Sequence, residues 1–148
     1  MGNPDLHPRA AWIVDGARVC VGVRFRPQGR GIDGLDCLGV VIRAAANAGI
    51  HVIAPVDYAL AGQGLAQAYA GLVNQGFRRL GCGEARAGDM LAKSPATRQV
   101  HFAICTGSGV VEAHLGMRRV IERPLSADDN WESAWRMPAT GESDTWRL

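Results

Sequence analysis

Residues 100–115 read VHFAICTGSGVVEAHL, two runs of alternating apolar and polar side chains joined by a glycine-rich turn. A two-residue Gly-Ser loop at positions 107–108 predicts a β-hairpin. That loop places His101 directly opposite His114, with Glu112 diagonal to His101 on the same face. A shift of one residue would mix apolar and polar side chains on both faces, which disfavours any other register.

The polar face of this hairpin could hold a catalytic base. Directly opposed side chains on an antiparallel pair lie ~5 Å apart, and diagonal ones about 7–8 Å apart. His101 therefore has two candidate orienting partners, Glu112 and His114, and the spacing leaves both open. A histidine alone on a strand is more often structural than catalytic, so a catalytic role requires a nucleophile elsewhere in the chain.

A candidate nucleophile lies in residues 31–40, which read GIDGLDCLGV. Asp36 is a favoured N-cap, and Gly49 is a typical residue at the end of a helix. Between them, apolar residues recur with the i, i+3, i+4, i+7 spacing of an amphipathic helix: Leu38, Val41, Ile42 and Ala45. Cys37 is therefore predicted to lie in the first turn of a helix.

The first turn of a helix has chemical consequences for a cysteine. Its backbone amides and the helix dipole favour an anion, such as the reactive thiolate or a developing oxyanion. The carboxylate of Asp36 opposes the thiolate, and Arg24, Arg26 or Arg30 could offset that charge. Judged by position alone, Cys37 is equally well explained as a small core residue at the start of a helix.

The rest of the chain predicts the architecture. Residues 10–24 indicate an opening helix or strand, and residues 62–81 a second helix. Four runs typical of strands follow, at residues 89–93, 99–106, 109–115 and 118–125; a short helical or turn segment and a last strand complete residues 127–138. These elements predict an α+β fold in a single domain of residues 1–148, with the cysteine helix packed on an antiparallel sheet.

Composition excludes several functional classes. Hydrophobic residues make up 47% of the chain and charged residues 20%, as in globular proteins, and the net charge of +2 gives no indication of nucleic-acid binding. No stretch approaches the ~20 apolar residues of a membrane span. The N-terminal MGNPDLHPRAAW has prolines and charges where a secretory signal is apolar, so we expect synthesis in the cytoplasm without a signal peptide.

The cysteines give no indication of a metal site. They form no CxxC pair, which argues against zinc-ribbon and thioredoxin-like sites. A set made of Cys82, His101, Cys105 and His114 matches no usual zinc-ligand spacing. We therefore expect no metal and no other cofactor.

Three segments resemble the NlpC-type peptidases, papain-like cysteine enzymes that cut peptidoglycan stem peptides. They are VGVRFRPQGRGIDGLDCLGVV (residues 21–41), RAGDMLAK (86–93) and HFAICTGSGVVEAHLGMRRVIERPL (101–125). The similarity is greatest to the phage and gene-transfer-agent branch of the family. Their order also agrees: a cysteine on a helix, a Gly-Asp strand start, the histidine strand and a third polar strand.

The resemblance implies roles for individual residues. Cys37 would be the nucleophile and His101 the general base. The third polar residue of the family, usually histidine, asparagine or glutamine, aligns with Glu112, while His114 remains the rival. Asp36 matches a family position that helps to hold the free amino end of the substrate, although Leu38 replaces the serine found there in many members. Phe25 occupies the place of a substrate-binding tyrosine.

The resemblance also implies a substrate and a setting. The expected reaction is hydrolysis of the bond between D-glutamate and the diamino acid of the stem peptide. The expected partners are this peptide and phage-like tail proteins, in a virion or gene-transfer-agent particle that acts at the cell wall. Two alternatives stay open: another thiol hydrolase or acyl transferase on the same scaffold, and a catalytically inactive structural module of a tail.

Overall fold

The computed structural model describes residues 6–53, 65–96 and 99–139. Within these ranges lie the helices α1 (Ala10–Val19), α2 (Cys37–Asn47) and α3 (Leu65–Asn74). The strands are β1 (Arg30–Gly31), β2 (Gly34–Leu35), β3 (Arg78–Leu80), β4 (Met90–Lys93), β5 (His101–Cys105), β6 (Gly109–His114), β7 (Arg119–Pro124) and β8 (Ser133–Arg136). Short 3₁₀ turns occupy Cys82–Glu84 and Ala127–Asp129.

Six of the strands form one antiparallel sheet in the order β3-β8-β4-β5-β6-β7. Strands β1 and β2 form a separate two-stranded ribbon. Helix α2 packs against β5 and β6 in this sheet, and α1 packs against α2. The α+β class and the packing of the cysteine helix on an antiparallel sheet are therefore confirmed.

The hairpin of β5 and β6 has the predicted register. Ile104 pairs with Val111 and Cys105 with Val110, the alignment that a two-residue loop at 107–108 requires. The Thr106 amide donates to the Gly109 carbonyl at 2.9 Å and closes the turn. The loop glycine at 107 has a φ of +101°, which a side chain would disfavour.

Helix α2 begins as the sequence predicts. The Asp36 side chain accepts a hydrogen bond from the Gly39 amide at 2.7 Å, which makes Asp36 the N-cap. At the other end Gly49 has a φ of +76°, which terminates the helix. The buried surface of α2 is wider than the predicted stripe and also includes Val40 and Ala44. Helix α1 packs on α2, with Gly16 against Ala44.

The sheet separates two apolar clusters. The larger one joins α1, α2 and one face of the hairpin, with Phe102, Ile104, Val111 and Ala113 from the hairpin. The smaller one lies on the alternate positions of the strands, and its members are Leu91, Ala103, Cys105, Val110 and Ala134. His101, Glu112 and His114 continue this second face at the end of the hairpin away from the turn.

The second predicted helix is too long. Residues 62–81 were expected to be helical, but α3 ends at Asn74 and residues Arg78–Leu80 form β3, paired with β8. Gly76, at a φ of +91°, reverses the chain between them. The part of this prediction at residues 62–64 lies outside the described residues.

One ion pair and one hydrogen bond connect distant segments of the chain. Asp89, fully buried, accepts from Arg136 Nε and Nη2 at 2.9 Å each, and this pair joins the start of β4 to the end of β8. His7 Nε2 lies 3.3 Å from the Pro138 carbonyl oxygen, and this contact joins the two ends of the described chain. Among the described helices, none is both long enough and apolar enough to cross a lipid bilayer.

Candidate active site

Cys37 and His101 meet at the N-terminal end of α2. Cys37 is buried, with 7% of the residue exposed. Its sulfur lies 3.7 Å from the Val100 carbonyl oxygen and is hydrogen-bonded to the His101 ring. Val100 precedes β5 directly, so the start of this strand lies beside the first turn of α2. The start of α2 therefore packs against the strand that carries His101, a contact that the sequence could not establish.

Glu112 holds the other side of the His101 ring. His101 Nε2 lies 2.7 Å from Glu112 Oε1, and because a carboxylate only accepts, Nε2 carries the proton that is donated. Nδ1 is then the ring nitrogen available to the thiol. The three side chains form a cysteine–histidine–carboxylate series in which the carboxylate fixes the orientation of the ring.

Arg123 lies behind Glu112 and continues the series. Its Nε donates to Glu112 Oε2, and its Nη1 donates to both carboxylate oxygens of Asp129 at 2.9 and 3.1 Å. Arg123 reaches Glu112 because it pairs with Val110 across β6 and β7, which puts it diagonal to Glu112 on one face. Asp129 is fixed in turn by the Ser126 amide at 2.8 Å.

These contacts set the charges of the site. Burial of the His101 ring by itself would lower its pKa, but the hydrogen bonds and negative charges of Cys37 and Glu112 outweigh burial and raise it to about 9. Burial would raise the pKa of Glu112, whereas His101 and Arg123 together hold it below its ordinary value. The site therefore favours an imidazolium between a carboxylate and the cysteine sulfur.

An aromatic ring covers His101. Trp131 stacks on it with 5.8 Å between ring centroids and 17° between ring planes. Lys93, which pairs with His101 across β4 and β5, places its Nζ 4.5 Å from the centre of the Trp131 ring. The stack limits rotation of the His101 ring and shields its bond to Glu112 from water.

His114, the rival orienting residue, is placed differently. Its Nδ1 accepts a hydrogen bond from the Met117 amide at 3.0 Å, across the turn that follows β6. In the predicted register His114 lies directly opposite His101, which made it the candidate closer to the His101 ring. The longer side chain of Glu112, supported by Arg123, is the one that bonds to His101.

A cleft with a volume of about 730 Å³ opens over these groups. Both residues assigned to substrate binding, Phe25 and Asp36, line it, as do Cys37, His101 and His114. Asp36 itself is 6% exposed and bonds to Arg30 Nη1 at 2.6 Å. All six residues named as site candidates from the sequence thus lie on one cleft.

Some residues of the site were not found from the sequence. The sequence analysis assigned no role to Arg123, Asp129 or Trp131. A prediction of the register between β6 and β7 would have placed Arg123 beside Glu112. Arg30 was one of three arginines that could offset the charge of Asp36. In the structure it is Arg30 that pairs with Asp36. Trp131 gave no signal, because its place depends on the irregular chain between β7 and β8.

The remaining cysteines are not members of the series Cys37–His101–Glu112, although Cys82 Sγ donates to the Trp131 carbonyl oxygen at 3.4 Å. Cys105 is a core residue, and its burial and the charge of Asp89 raise its pKa to about 12. Cys20 is also buried, while Cys82 is exposed. Across residues 6–53, 65–96 and 99–139, no three or more His, Cys, Asp or Glu side chains are grouped to hold a metal ion.

Comparison with known proteins gives a match at the level of structure. No protein-family model matches the sequence, and no curated protein matches it. The NlpC/p60 domain of the peptidoglycan hydrolase SagA aligns with a TM-score of 0.61 and 20% identity, over 86% of this chain and 98% of that one. The peptidoglycan hydrolase RipB of Mycobacterium tuberculosis aligns with a TM-score of 0.60 and 21% identity, over 92% and 67%.

A third similar structure differs in activity. RipD of Mycobacterium tuberculosis, described as a non-catalytic NlpC/p60 domain protein adapted to peptidoglycan binding, aligns with a TM-score of 0.60 and 18% identity, over 88% of this chain and 98% of that one. Catalytic and non-catalytic proteins therefore share this architecture, and activity has to be argued from the site itself. The fold of the chain is that of the NlpC/p60 domains.

Proposed function

We propose that the protein is a cysteine peptidase that hydrolyses amide bonds in peptidoglycan stem peptides. The observation that carries this proposal is the series Cys37–His101–Glu112, completed on one cleft at the start of a helix. The two peptidoglycan hydrolases with the same fold support the choice of substrate. The further assignment to the bond between D-glutamate and the diamino acid rests on the sequence resemblance.

The first half of the reaction forms a thioester. His101 Nδ1 takes the thiol proton, and the Cys37 sulfur attacks the carbonyl carbon of the scissile amide. The negative charge that develops on the carbonyl oxygen is stabilised by the backbone amide of Cys37 in the first turn of α2. When the tetrahedral intermediate collapses, the imidazolium of His101 gives its proton to the leaving amine.

The second half releases the acid. His101, neutral again, takes a proton from a water molecule that attacks the thioester carbonyl. Collapse of this intermediate breaks the carbon–sulfur bond, releases the acid and leaves protonated His101 beside the cysteine sulfur, as before the reaction. Glu112 keeps Nε2–H of His101 bound in both halves, so that Nδ1 faces the sulfur throughout.

The first test measures the reactivity of Cys37. Because Cys82 is exposed and would react with the reagent as well, a Cys82→Ser background isolates the thiol of Cys37. We expect iodoacetamide to modify Cys37 rapidly, because His101 takes the thiol proton. His101→Ala in the same background should slow the modification, and an ordinary thiol profile in both proteins would contradict an activated pair.

The second test measures hydrolysis. Purified peptidoglycan and stem peptides are incubated with the protein, and new amino groups and fragment masses are recorded. Cleavage of the D-glutamyl–diamino acid bond, abolished by Cys37→Ala in a protein that still unfolds cooperatively, is the expected result. Transfer of the acyl group to an added amine would instead identify an acyl transferase. Binding without cleavage would identify a module of the RipD kind.

We also propose that the protein belongs to a phage-like or gene-transfer-agent particle, which is assembled in the cytoplasm and carries it to the cell wall. This proposal rests on the segments of sequence that resemble that branch of the family. Mass spectrometry of particles purified from the producing cells is the test. Absence of the protein from particles that contain the other tail components would contradict it.

A further inference from the structure

The carboxylates that line the cleft are all engaged by basic side chains. Within the described part of the chain they are Asp36, Glu112 and Asp129. Asp36 pairs with Arg30, Glu112 with His101 and Arg123, and Asp129 with Arg123. Each negative charge on this surface is therefore compensated within the protein.

Asp36 accepts hydrogen bonds from three different groups of the protein. Its Oδ1 accepts from the Gly39 amide at 2.7 Å and from Arg30 Nη1 at 2.6 Å, and its Oδ2 accepts from the Gln28 amide at 3.0 Å. These bonds cap α2 and fix the loop that precedes it. A carboxylate has about four lone-pair positions, so little of its accepting capacity is left for a ligand.

An ammonium group on the substrate would be disfavoured in this surrounding. A cation that leaves water needs an opposite charge or several acceptors in return. The lining beside Asp36 offers instead Phe25, Pro27 and Gln28, which carry no charge. The lining also includes Lys93 and the imidazolium of His101, which would repel a positive group.

We propose that the enzyme recognises stem peptides whose amino end is already amide-linked, and that Arg30 determines this preference by neutralising Asp36. The inference rests on the proposed function and names its substrate class: the peptide still attached through its amino end, in place of a released peptide with a free amine. It also changes the role that resemblance implies for Asp36, from receptor of a substrate amine to structural cap.

A matched pair of substrates tests the preference. The two stem peptides have the same sequence and differ only in an N-terminal acetyl group. We expect kcat/KM of the wild-type protein to be higher for the acetylated peptide than for the free one. An equal or higher kcat/KM for the free peptide would overturn the inference while leaving the proposed peptidase intact.

Binding separates the failure of this inference from failure of the proposed function. The Cys37→Ala variant is titrated with both peptides by calorimetry. If the wild-type protein hydrolyses neither peptide but this variant binds the acetylated one more tightly, hydrolysis is wrong and the recognition stands. Tighter binding of the free peptide, or binding of neither, overturns the recognition.

Arg30→Met tests the residue named. Loss of the guanidinium exposes an uncompensated Asp36 charge, so we expect the kcat/KM ratio of free to acetylated peptide to rise by about tenfold, equivalent to ~1.4 kcal/mol. Arg26→Met, which removes an exposed charge from the same segment, is the control and should leave the ratio unchanged. An unchanged ratio in Arg30→Met would show that Arg30 does not set the preference, and the wild-type ratio remains decisive if this variant does not fold.

Discussion

Glu112 is held on both oxygens, Oε1 by His101 and Oε2 by Arg123. A carboxylate bound in this way cannot rotate away from the imidazole without breaking a second charged hydrogen bond. It is also 4% exposed, so water does not compete for either oxygen. Glutamate is thus a chemically sufficient replacement for the neutral or basic third residue that the resemblance led us to expect.

Removal of the Glu112 charge tests whether this carboxylate orients and charges His101. In Glu112→Gln the imidazolium loses a negative neighbour, so the pKa of His101 should fall from about 9. Since protonated His101 supplies the leaving amine with its proton, the alkaline limb of the kcat/KM profile should move to lower pH. We expect a loss of about 10²–10⁴-fold at the optimum.

His114→Gln is the comparison for that experiment. If Glu112 orients His101, its variant should lose far more activity than the His114 variant and should alone shift the alkaline limb. The reverse order of losses would make His114 the orienting residue. An NMR titration of the His101 ring in both variants measures the pKa directly.

Arg123 acts on His101 only through Glu112. Without the guanidinium, Glu112 loses one of the two groups that lower its pKa against burial, so its pKa should rise from the lowered value in the wild-type protein. In Arg123→Gln the acid limb of the kcat/KM profile should therefore move to higher pH. Arg119→Gln, an exposed arginine on the same strand, is the control, and equal profiles for the two variants would contradict the role of Arg123.

At the scale of elements, the position of Cys37 depends on the contact between α2 and the glycine-rich loop before it. A side chain on Gly39 would overlap the Gly29 carbonyl oxygen, and the Asp36 amide donates to that same carbonyl at 3.3 Å. The glycine in the first turn therefore lets the loop pack directly on the helix. This contact places the loop, with Phe25 and Gln28, beside the nucleophile.

Gly39→Ala should disturb this packing. The backbone neighbour cannot move aside as a flexible side chain could, so we expect a loss of about 1–3 kcal/mol in the free energy of unfolding. Gly31→Ala is a matched control, because a methyl group there meets no atom within 4 Å. Urea denaturation followed by tryptophan fluorescence gives both values, and equal stability of the two variants would show that the loop adapts.

At the scale of the whole molecule, the predictable parts are those that depend on local spacing. The alternation in residues 100–115 determined the hairpin register, and Asp36 and Gly49 marked the ends of α2. The strand at Arg78–Leu80 was missed because its two exposed arginines and one leucine carry no alternation of their own. It exists because β8 offers an edge, a property of the assembled sheet.

The same distinction divides the site. Cys37 and His101 could be proposed because each has a local signature, a helix start and a polar hairpin face. The choice of Glu112 over His114 could not be made from spacing, since it depends on Arg123 and Asp129 arriving from β7 and the turn after it. The pairing of Asp36 with Arg30 likewise depends on how the β1–β2 ribbon folds back onto α2.

The Asp89–Arg136 pair gives a last prediction at this scale. It joins β4, which precedes the histidine strand, to β8, and Asp89 also accepts from the Arg86 amide at 2.8 Å. In Asp89→Asn the Arg136 guanidinium, with 12% of its side chain exposed, loses the Asp89 carboxylate with which it pairs. We expect a loss of about 3–5 kcal/mol in the free energy of unfolding.

Removal of both charges separates pairing from packing. Removal of one partner of a buried ion pair costs more than replacement of both partners by neutral groups of similar volume. Asp89→Asn combined with Arg136→Met should therefore be more stable than Asp89→Asn alone. Asp33→Asn, on the exposed β1–β2 turn, should change stability by less than about 0.5 kcal/mol. A small loss in Asp89→Asn, or no recovery in the double variant, would mean that the sheet is held at this end by its apolar contacts, with Trp135 beside the pair, and that the charges contribute little.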